Sequence, residues 1–498
     1  MSAVATIRIR LEPAGICVEA RPGASLQDSL FRFGVEFPCG GTGLCKGCRV
    51  RVLAGSVPPS PEDQQALQPE EIAQGWRLAC RLRPKEDITL EIAQWETPVL
   101  TDSARFRFIP KEGAGIAIDL GTTTIAAQSL DMRTGAVLGV RTALNPQAAW
   151  GGDVMSRVAS AMTEREEGRL TKVIRECVGR MVSELSAGLE VREVVVAGNT
   201  VMHHLFCGLD VSGLAQVPFE TAHGGLAEFE GDQLEWLGHG ARLRFLPCLG
   251  GFVGSDILAG ILATGLHESG EPACLIDLGT NGEIVVGNRE RLLCASTAAG
   301  PAFEGGRIGM GMRADSGAIY RVRSGGGGVD AQVLGGIPPR GICGSGLVDV
   351  VALGLEKGRI LPDGRLTGGI WLFAPPVRIT QADVRQLQLA KAAVAAGIHI
   401  LLKRAGLRLE DVSSVYLAGA FGNYVDATSA RRIGLLPFPA GIVTPSGNTA
   451  LRGAKMALFD DGGDYAQLRS RVDHVPLAAD PTFQDIFVEQ MSFPAGVS

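Results

Sequence analysis

Residues Ala114–Leu130, AGIAIDLGTTTIAAQSL, form an apolar run that ends on Asp119, turns at Gly121 with Thr122 and Thr123 beside it, and resumes as a second apolar run. The same design recurs at Ala273–Arg289, ACLIDLGTNGEIVVGNR, with Asp277, Gly279, Thr280, Asn281 and Gly282 at the corresponding turn. Each stretch reads as two strands joined at a tip. A single copy would be an ordinary hairpin whose Asp and Gly suit the turn. Two copies a domain's length apart point to an internal duplication.

Such a tip has readable chemistry. Gly121 and Gly279 allow backbone N–H groups to approach an anion closely, Thr122, Thr123, Thr280 and Asn281 add donors for phosphate oxygens, and a strand-terminal Asp can hold Mg2+ through water. Two tips facing each other would grip one polyphosphate, so Asp119 and Asp277 are the candidate catalytic pair, with the tip residues through Gly282 as candidate nucleotide contacts. A third element agrees. Val415-Tyr416-Leu417 reads as a buried strand leading into AGAFGNY, Ala418–Tyr424, where Gly419 and Gly422 would let a helix N-terminus approach adenine and ribose. No Gly-Lys pair occurs in the chain, which excludes a G-x4-G-K-[ST] phosphate loop.

The 498 residues should divide into about three domains of ordinary size. With 47 Lys+Arg against 53 Asp+Glu the net charge is −6, so no basic field attracts nucleic acid or an anionic membrane. No apolar run is long enough to span a bilayer, and Met1–Arg10 alternates Ile with Arg where a signal segment would be apolar. The expectation is a soluble, cytoplasmic protein with small-molecule or protein partners.

Of eleven cysteines, four fall between Cys39 and Cys80, spaced Cys39-x5-Cys45-x2-Cys48-x31-Cys80, the first three within PCGGTGLCKGC, Pro38–Cys48. Such clustering suggests metal, not disulfides. A glycine-rich loop lets three thiolates come from one backbone excursion while its N–H groups reach the sulfides of an iron–sulfur cluster. Zinc is the competing reading, although its usual sites bring ligands as two separated pairs. The arginines flanking Cys80 (Arg77, Arg81, Arg83) read either as a dock for an acidic partner or as a solvated basic edge. The other seven, at 17, 177, 207, 248, 274, 294 and 343, read as buried small hydrophobes. Around the loop, Ile7, Ile9 and Leu11 alternate with arginines, Ile16 and Val18 follow a turn, Ser25 and Asp28 can cap a short helix through Leu30 and Phe33, and Val50/Val52 and Ile88/Leu90/Ile92 supply further strands.

At these residues the N-terminal segment resembles a plant- or adrenodoxin-type ferredoxin domain, which implies an α+β β-grasp unit holding a [2Fe-2S] cluster on Cys39, Cys45, Cys48 and Cys80. The first gap is five residues where the plant-type spacing has four. The two Asp-Leu-Gly-Thr tips and the later glycine element resemble the actin, sugar-kinase and Hsp70 (ASKHA) superfamily of two-lobed α/β ATPases, which implies ATP and Mg2+ in a cleft between lobes. LNPQAAWGGDVMSRV (144–158), VVVAGNTVMHHLF (194–206), GGFVGSDILAGIL (250–262), GPAFEGG (300–306), GICGSGLVDVV (341–351), QLAKAAVAAGI (388–398) and AGAFGNYVDATSARRIGLLP (418–437) are similar to the reductive activators of corrinoid-dependent methyltransferases. The expected organisation is a ferredoxin domain over 1–96, a linker over 97–113 in place of the extra domain of larger members, a first ASKHA lobe over 114–270 and a second over 271–498.

That resemblance implies an ATP-dependent activator that passes one electron from the [2Fe-2S] cluster to the Co(II) corrinoid of a partner protein, regenerating Co(I). It also implies an external low-potential electron donor and leaves a homodimer open. Two other readings fit the same residues: a nucleotide-responsive module that senses corrinoid state without ATP turnover, and a metabolite kinase carrying a regulatory cluster. His203 and His204, adjacent on a helix, point in different directions, which argues against a shared metal; Glu304 is a candidate for positioning a water or for a turn.

Overall fold

A computed structural model describes residues 6–12, 16–26, 29–30, 35, 43, 48–91, 108–151, 153–162, 167–217, 219–220, 223–231, 233–234, 236, 241–279, 281–312, 314, 317–326, 328–334, 338–422, 424–460 and 463–494. Alternation in the first strand puts Ile7, Ile9 and Leu11 on one buried face. This strand, β1 (Ile7–Glu12), pairs antiparallel with β2 (Ile16–Ala20) and parallel with the later β5; β3 (Arg49–Ala54), β4 (Trp76–Leu78) and β5 (Ile88–Glu91) complete a sheet ordered β2-β1-β5-β3-β4. The sequence missed β4, three residues long, and the two capped helical turns before it, Pro61–Ala66 and Pro69–Ala73. Most of the helix expected after Ser25 lies outside the described residues, but Leu26 and Leu30 are buried in this sheet's core. Cys17 corrects an expectation: it sits exposed on β2, because the strand's alternation turns it to solvent.

The second sheet is built from β6 (Ala114–Leu120), β7 (Thr124–Asp131), β8 (Val137–Leu144), β9 (Val191–Gly198), β10 (Ala227–Glu230) and β11 (Arg242–Phe245), ordered β10-β11-β9-β6-β7-β8. The third begins with β12 (Ala273–Leu278), β13 (Gly282–Gly287) and β14 (Leu292–Thr297). Two small sheets follow, one of β15 (Ala318–Gly325), β16 (Gly328–Val333) and β17 (Gly341–Ile342), the other of β18 (Ile370–Ala374) and β19 (Val377–Thr380). The chain then returns to the third sheet through β20 (Ser414–Ala418), β21 (Val443–Gly447) and β22 (Val472–His474), giving the order β21-β20-β12-β13-β14-β22.

The duplication is visible in the pairing. β6-β7-β8 and β12-β13-β14 are both antiparallel meanders, and β9 and β20 each return parallel to the first strand of its meander. Strands covered on both sides read as continuous apolar runs, as β6, β9 and β12 do. The helices Ser255–Thr264 and Thr449–Phe459, the latter through Leu451 and Leu458, share one buried core with residues of both sheets, including Ala117, Val195 and Leu275. The 25-residue helix Gln381–Ala405 packs on β13 and β14, in a separate core.

Candidate functional site

Asp119 and Asp277 stand at the carboxyl ends of β6 and β12, opposite Ala197 on β9 and Ala418 on β20 respectively. In open α/β sheets ligands bind outside the carboxyl ends of parallel strands where the topology reverses. Both lobes offer that place, and both put an Asp in it.

The first tip is held from beneath. A Cβ on Gly121 would lie 2.4 Å from the Thr124 carbonyl, so the turn closes only around glycine. Asn145 donates from Nδ2 to the Gly121 carbonyl at 2.9 Å and from its backbone N–H to the Thr123 carbonyl at 2.9 Å. Asn199 Nδ2 reaches Thr122 Oγ1 at 2.8 Å. Arg157, fully buried, donates from Nη2 to the Thr122 carbonyl at 2.6 Å and from Nε to Gly151 at 2.9 Å; burial lowers its pKa to about 10, which leaves it charged at neutral pH. These residues lie in the LNPQ…SRV and AGNT stretches, whose positioning role no local pattern announces.

At the second tip, the Gly279 N–H donates to the Asn281 carbonyl at 2.9 Å. The space over Gly279 is open: a Cβ there would meet nothing closer than that carbonyl at 3.8 Å and Glu304 Oε1 at 3.9 Å. Asn281 is half-buried beside it, while Thr280 lies outside the described residues. Gly282 faces away, packed against Val394 and Thr297. Gly419 has φ +83° and its Cβ position is 2.6 Å from Asp277 Oδ1, and Gly422 packs on Leu417. The helix expected to follow spans only Gly419–Gly422, too short to carry a helix dipole, so Gly419 serves close packing beside the Asp277 carboxylate and Gly422 close packing on Leu417.

Two further carboxylates, missed in the sequence, join the pair. Asp256 sits in the first turn of the Ser255–Thr264 helix, and Glu283 lies on β13 directly opposite Asp277 on β12, its Oε1 accepting from Ser296 Oγ at 3.2 Å. Burial raises the Asp119 pKa to about 6, partly offset by a hydrogen bond from Asn448. Burial, then the charge of Asp119, raises Asp277 to about 7. Asp256 is raised to about 7 by burial and by Asp277 and Asp119, and Glu283 well above its ordinary value by burial and by Asp256 and Asp277. The four groups share one field of negative charge that a cation would relieve. Among the described residues no three His, Cys, Asp or Glu side chains converge as a group that could hold a metal ion.

In the N-terminal sheet, Cys48 and Cys80 are buried with their Sγ atoms 3.3 Å apart, a convergence that fits two ligands of one metal centre. Cys39 and Cys45 lie outside the described residues. The Cys80 turn is stapled by Ala79 N–H to the Cys48 carbonyl at 2.7 Å, and Asp63 Oδ1 accepts from Leu78 N–H at 2.7 Å. The three arginines are engaged locally: Arg77 donates to the carbonyls of Val57, Ile72 and Trp76, Arg83 to those of Cys80 and Leu82, and Arg81 pairs with Glu62 at 3.1 Å. His203 and His204 are buried and bond different carbonyls, those of Gly225 and Thr200; burial lowers both, His203 to about 4, so both stay neutral.

Residues 9–85 match the 2Fe-2S iron-sulfur cluster binding domain, 114–269 the RACo middle region, and 271–497 the C-terminal domain of RACo, the ASKHA domain. The corrinoid activation enzyme RamQ of Eubacterium limosum is 35% identical over 417 residues, covering 76% of this chain and 70% of that protein. The chain belongs to the family of corrinoid reductive activators. A second member of this family, the [Co(II) methylated amine-specific corrinoid protein] reductase of Methanosarcina barkeri, is 29% identical over 76% of this chain and 77% of its own length. The solved reductive activator for corrinoid, iron-sulfur protein superposes with a TM-score of 0.69 at 28% identity, covering 98% of each chain. Family membership bears out the ferredoxin-plus-ASKHA architecture read from the sequence.

Proposed function

We propose that this protein is an ATP-dependent reductive activator: one electron passes to the Co(II) corrinoid of a partner protein, which becomes Co(I), and nucleotide between the two tips drives or gates that transfer. The observation that carries the reading is the pair of duplicated tips, with Asp119 and Asp277 in one electrostatic field, on the same chain as the converging thiols Cys48 and Cys80. The organisation proposed is 1–96, 97–113, 114–270 and 271–498.

Asp119 and Asp277 would hold Mg2+ through water, and Thr122, Thr123, Thr280 and Asn281 would bond phosphate oxygens around the open space over Gly279. Asp256, in the first turn of the Ser255–Thr264 helix and within the field of Asp119 and Asp277, would be the group to accept a proton from an attacking water. Cys39, Cys45, Cys48 and Cys80 would hold a [2Fe-2S] cluster, which supplies single electrons at low potential, about −400 mV in plant-type sites. Each ~59 mV of uphill gap costs about tenfold in the equilibrium of a one-electron step. Nucleotide helps only by the difference in its affinity for two states of the protein.

The test is ATP hydrolysis, with and without a Co(II) corrinoid protein and a low-potential donor, alongside the absorbance of Co(I). Hydrolysis stimulated by the partner and required for Co(I) supports the proposal. Co(I) formed equally well without nucleotide overturns it, and nucleotide binding without turnover favours the sensing module.

A further inference from the structure

The segment after β20 touches three parts of the molecule in quick succession. Gly419 lies against Asp277, as described above. Two residues on, the Phe421 ring stacks on Phe303 with centroids 4.7 Å apart and planes 29° from parallel; Phe303 adjoins Glu304, whose carboxylate faces Gly279. Tyr424 then enters a different domain. Its side chain is 6% exposed and belongs to the core of the N-terminal sheet, in one cluster with Leu26, Leu78, Cys48 and Cys80. Among the described residues, every other buried member of that core comes from within the first 91 positions. Arg321 on β15 fixes the far end, donating from Nη2 to the Tyr424 carbonyl at 3.3 Å and from Nη1 to Asp426 Oδ2 at 2.8 Å.

An aromatic ring brings a large apolar area to the core it completes, so a ring supplied by a neighbouring domain is a seat for that domain. We propose that Tyr424 is a positioning residue that docks the ferredoxin unit on the second lobe, and that nucleotide at the Asp277 tip loosens this seat. This rests on the nucleotide reading given above. The Asp277 carboxylate occupies the place a Cβ on Gly419 would take, so a ligand that shifts this carboxylate toward a cation changes what the start of the segment packs against, and the other end of that segment carries Tyr424. Undocking then frees the thiol-bearing face to approach a partner. Linkage makes the effect reciprocal: a nucleotide that favours the undocked state binds more tightly once the seat is removed.

Amide hydrogen exchange on the full chain, with and without Mg2+ and a non-hydrolysable ATP analogue, tests this, with analogue binding measured by calorimetry on the same samples. Exchange over 48–54 and 76–82 should rise several-fold with the analogue in the native chain. It should be high with or without analogue in Tyr424→Ala and native-like in Tyr424→Phe, and Tyr424→Ala should bind the analogue about fivefold more tightly or better. If the analogue binds the native chain and exchange in those strands does not rise, the seat is not coupled to nucleotide and the proposal falls while the nucleotide reading stands. If the analogue does not bind at all, both fall. The native-chain comparison decides the matter even if Tyr424→Ala does not fold.

Discussion

Nδ2 of Asn448 donates to Oδ2 of Asp119 at 2.8 Å, joining positions 329 residues apart. The same side chain caps its own helix, Oδ1 accepting from Leu451 N–H at 2.8 Å. One amide therefore ties the tip carboxylate of the first lobe to the helix that packs the lobes together. Replacing it removes a cap worth ~1 kcal/mol and a bond to an ionisable group worth about 1.5–3 kcal/mol when fully charged. With Asp119 partly protonated, Asn448→Ala should cost about 1–3 kcal/mol in urea unfolding. Asn448→Asp keeps the cap but sets two carboxylates together, so its deficit should grow as pH rises from 5 to 8.

Asp119, Asp256 and Asp277 titrate at about 6, 7 and 7 in the folded chain, against about 4 when unfolded. Between about pH 4 and pH 7 these three groups thus keep protons in the folded state that they lose on unfolding, and their contribution to the stability of the nucleotide-free protein falls as pH rises through that window. Mg2+ with nucleotide displaces those protons, so affinity should climb by up to about tenfold per pH unit for each proton released. Thermal melts across pH, and calorimetry at pH 6.5 in buffers of different ionisation enthalpy, will show the slope and the released protons. A melting temperature of the native chain that does not fall relative to that of Asp277→Asn from pH 4 to 7 would contradict the assigned burial.

Asp277→Asn removes a charge the fold pays to hold. Above pH 7 the nucleotide-free variant should melt no lower than the native chain. Added Mg2+ and nucleotide should no longer stabilise it, and ATP turnover should drop at least about a hundredfold, within the range for losing a group that stabilises transferred phosphoryl charge. A variant that is both less stable and nucleotide-responsive would assign Asp277 a structural role alone.

Gly453 sits where the Thr449–Phe459 helix crosses the Ser255–Thr264 helix, and a Cβ there would lie 2.0 Å from the Ala259 carbonyl. Gly453→Ala must push the helices apart, which should cost about 1–3 kcal/mol by the usual scale of overpacking. Because both helices begin at the carboxylate cluster, weaker nucleotide affinity should accompany the loss, read by melting and by titration of an ATP analogue.

Cysteine replacement separates ligands from packing. Cys48→Ser and Cys80→Ser, prepared anaerobically, should lose most of their iron, while Cys17→Ser, at an exposed strand position, keeps its full content. Iron per chain, with zinc measured alongside, is the readout. Zinc in place of iron in the native chain would restore the reading that competed in the sequence.

Much of the architecture was legible because it follows from local rules. Alternation of apolar and charged residues called β1, β3 and β5, continuous apolar runs called β6, β9, β12 and β20, and two Asp-Gly-Thr turns in like surroundings announced a duplicated fold. Four cysteines at ferredoxin spacing announced a metal-bearing unit. Each signal spans a few residues and depends on chain geometry that nearby side chains set. What β4 lacked was length: Trp76–Leu78 has too few residues to show a period.

The residues alone determined the modules, their order and the two carboxylates at the duplicated tips. Only the tertiary structure decided which distant groups join them: Asp256 and Glu283, both raised by burial and by the charge of Asp277, Asn448 reaching Asp119, Arg157 and Asn145 bracing the tip. It also assigned Gly282 and Gly422 to packing, turned Cys17 outward, and carried Tyr424 into the core around Cys48 and Cys80. The division has one physical cause. Strand, turn and helix preferences act over a few bonds, whereas convergence across hundreds of residues is set by how sheets and helices pack, and no short pattern encodes it.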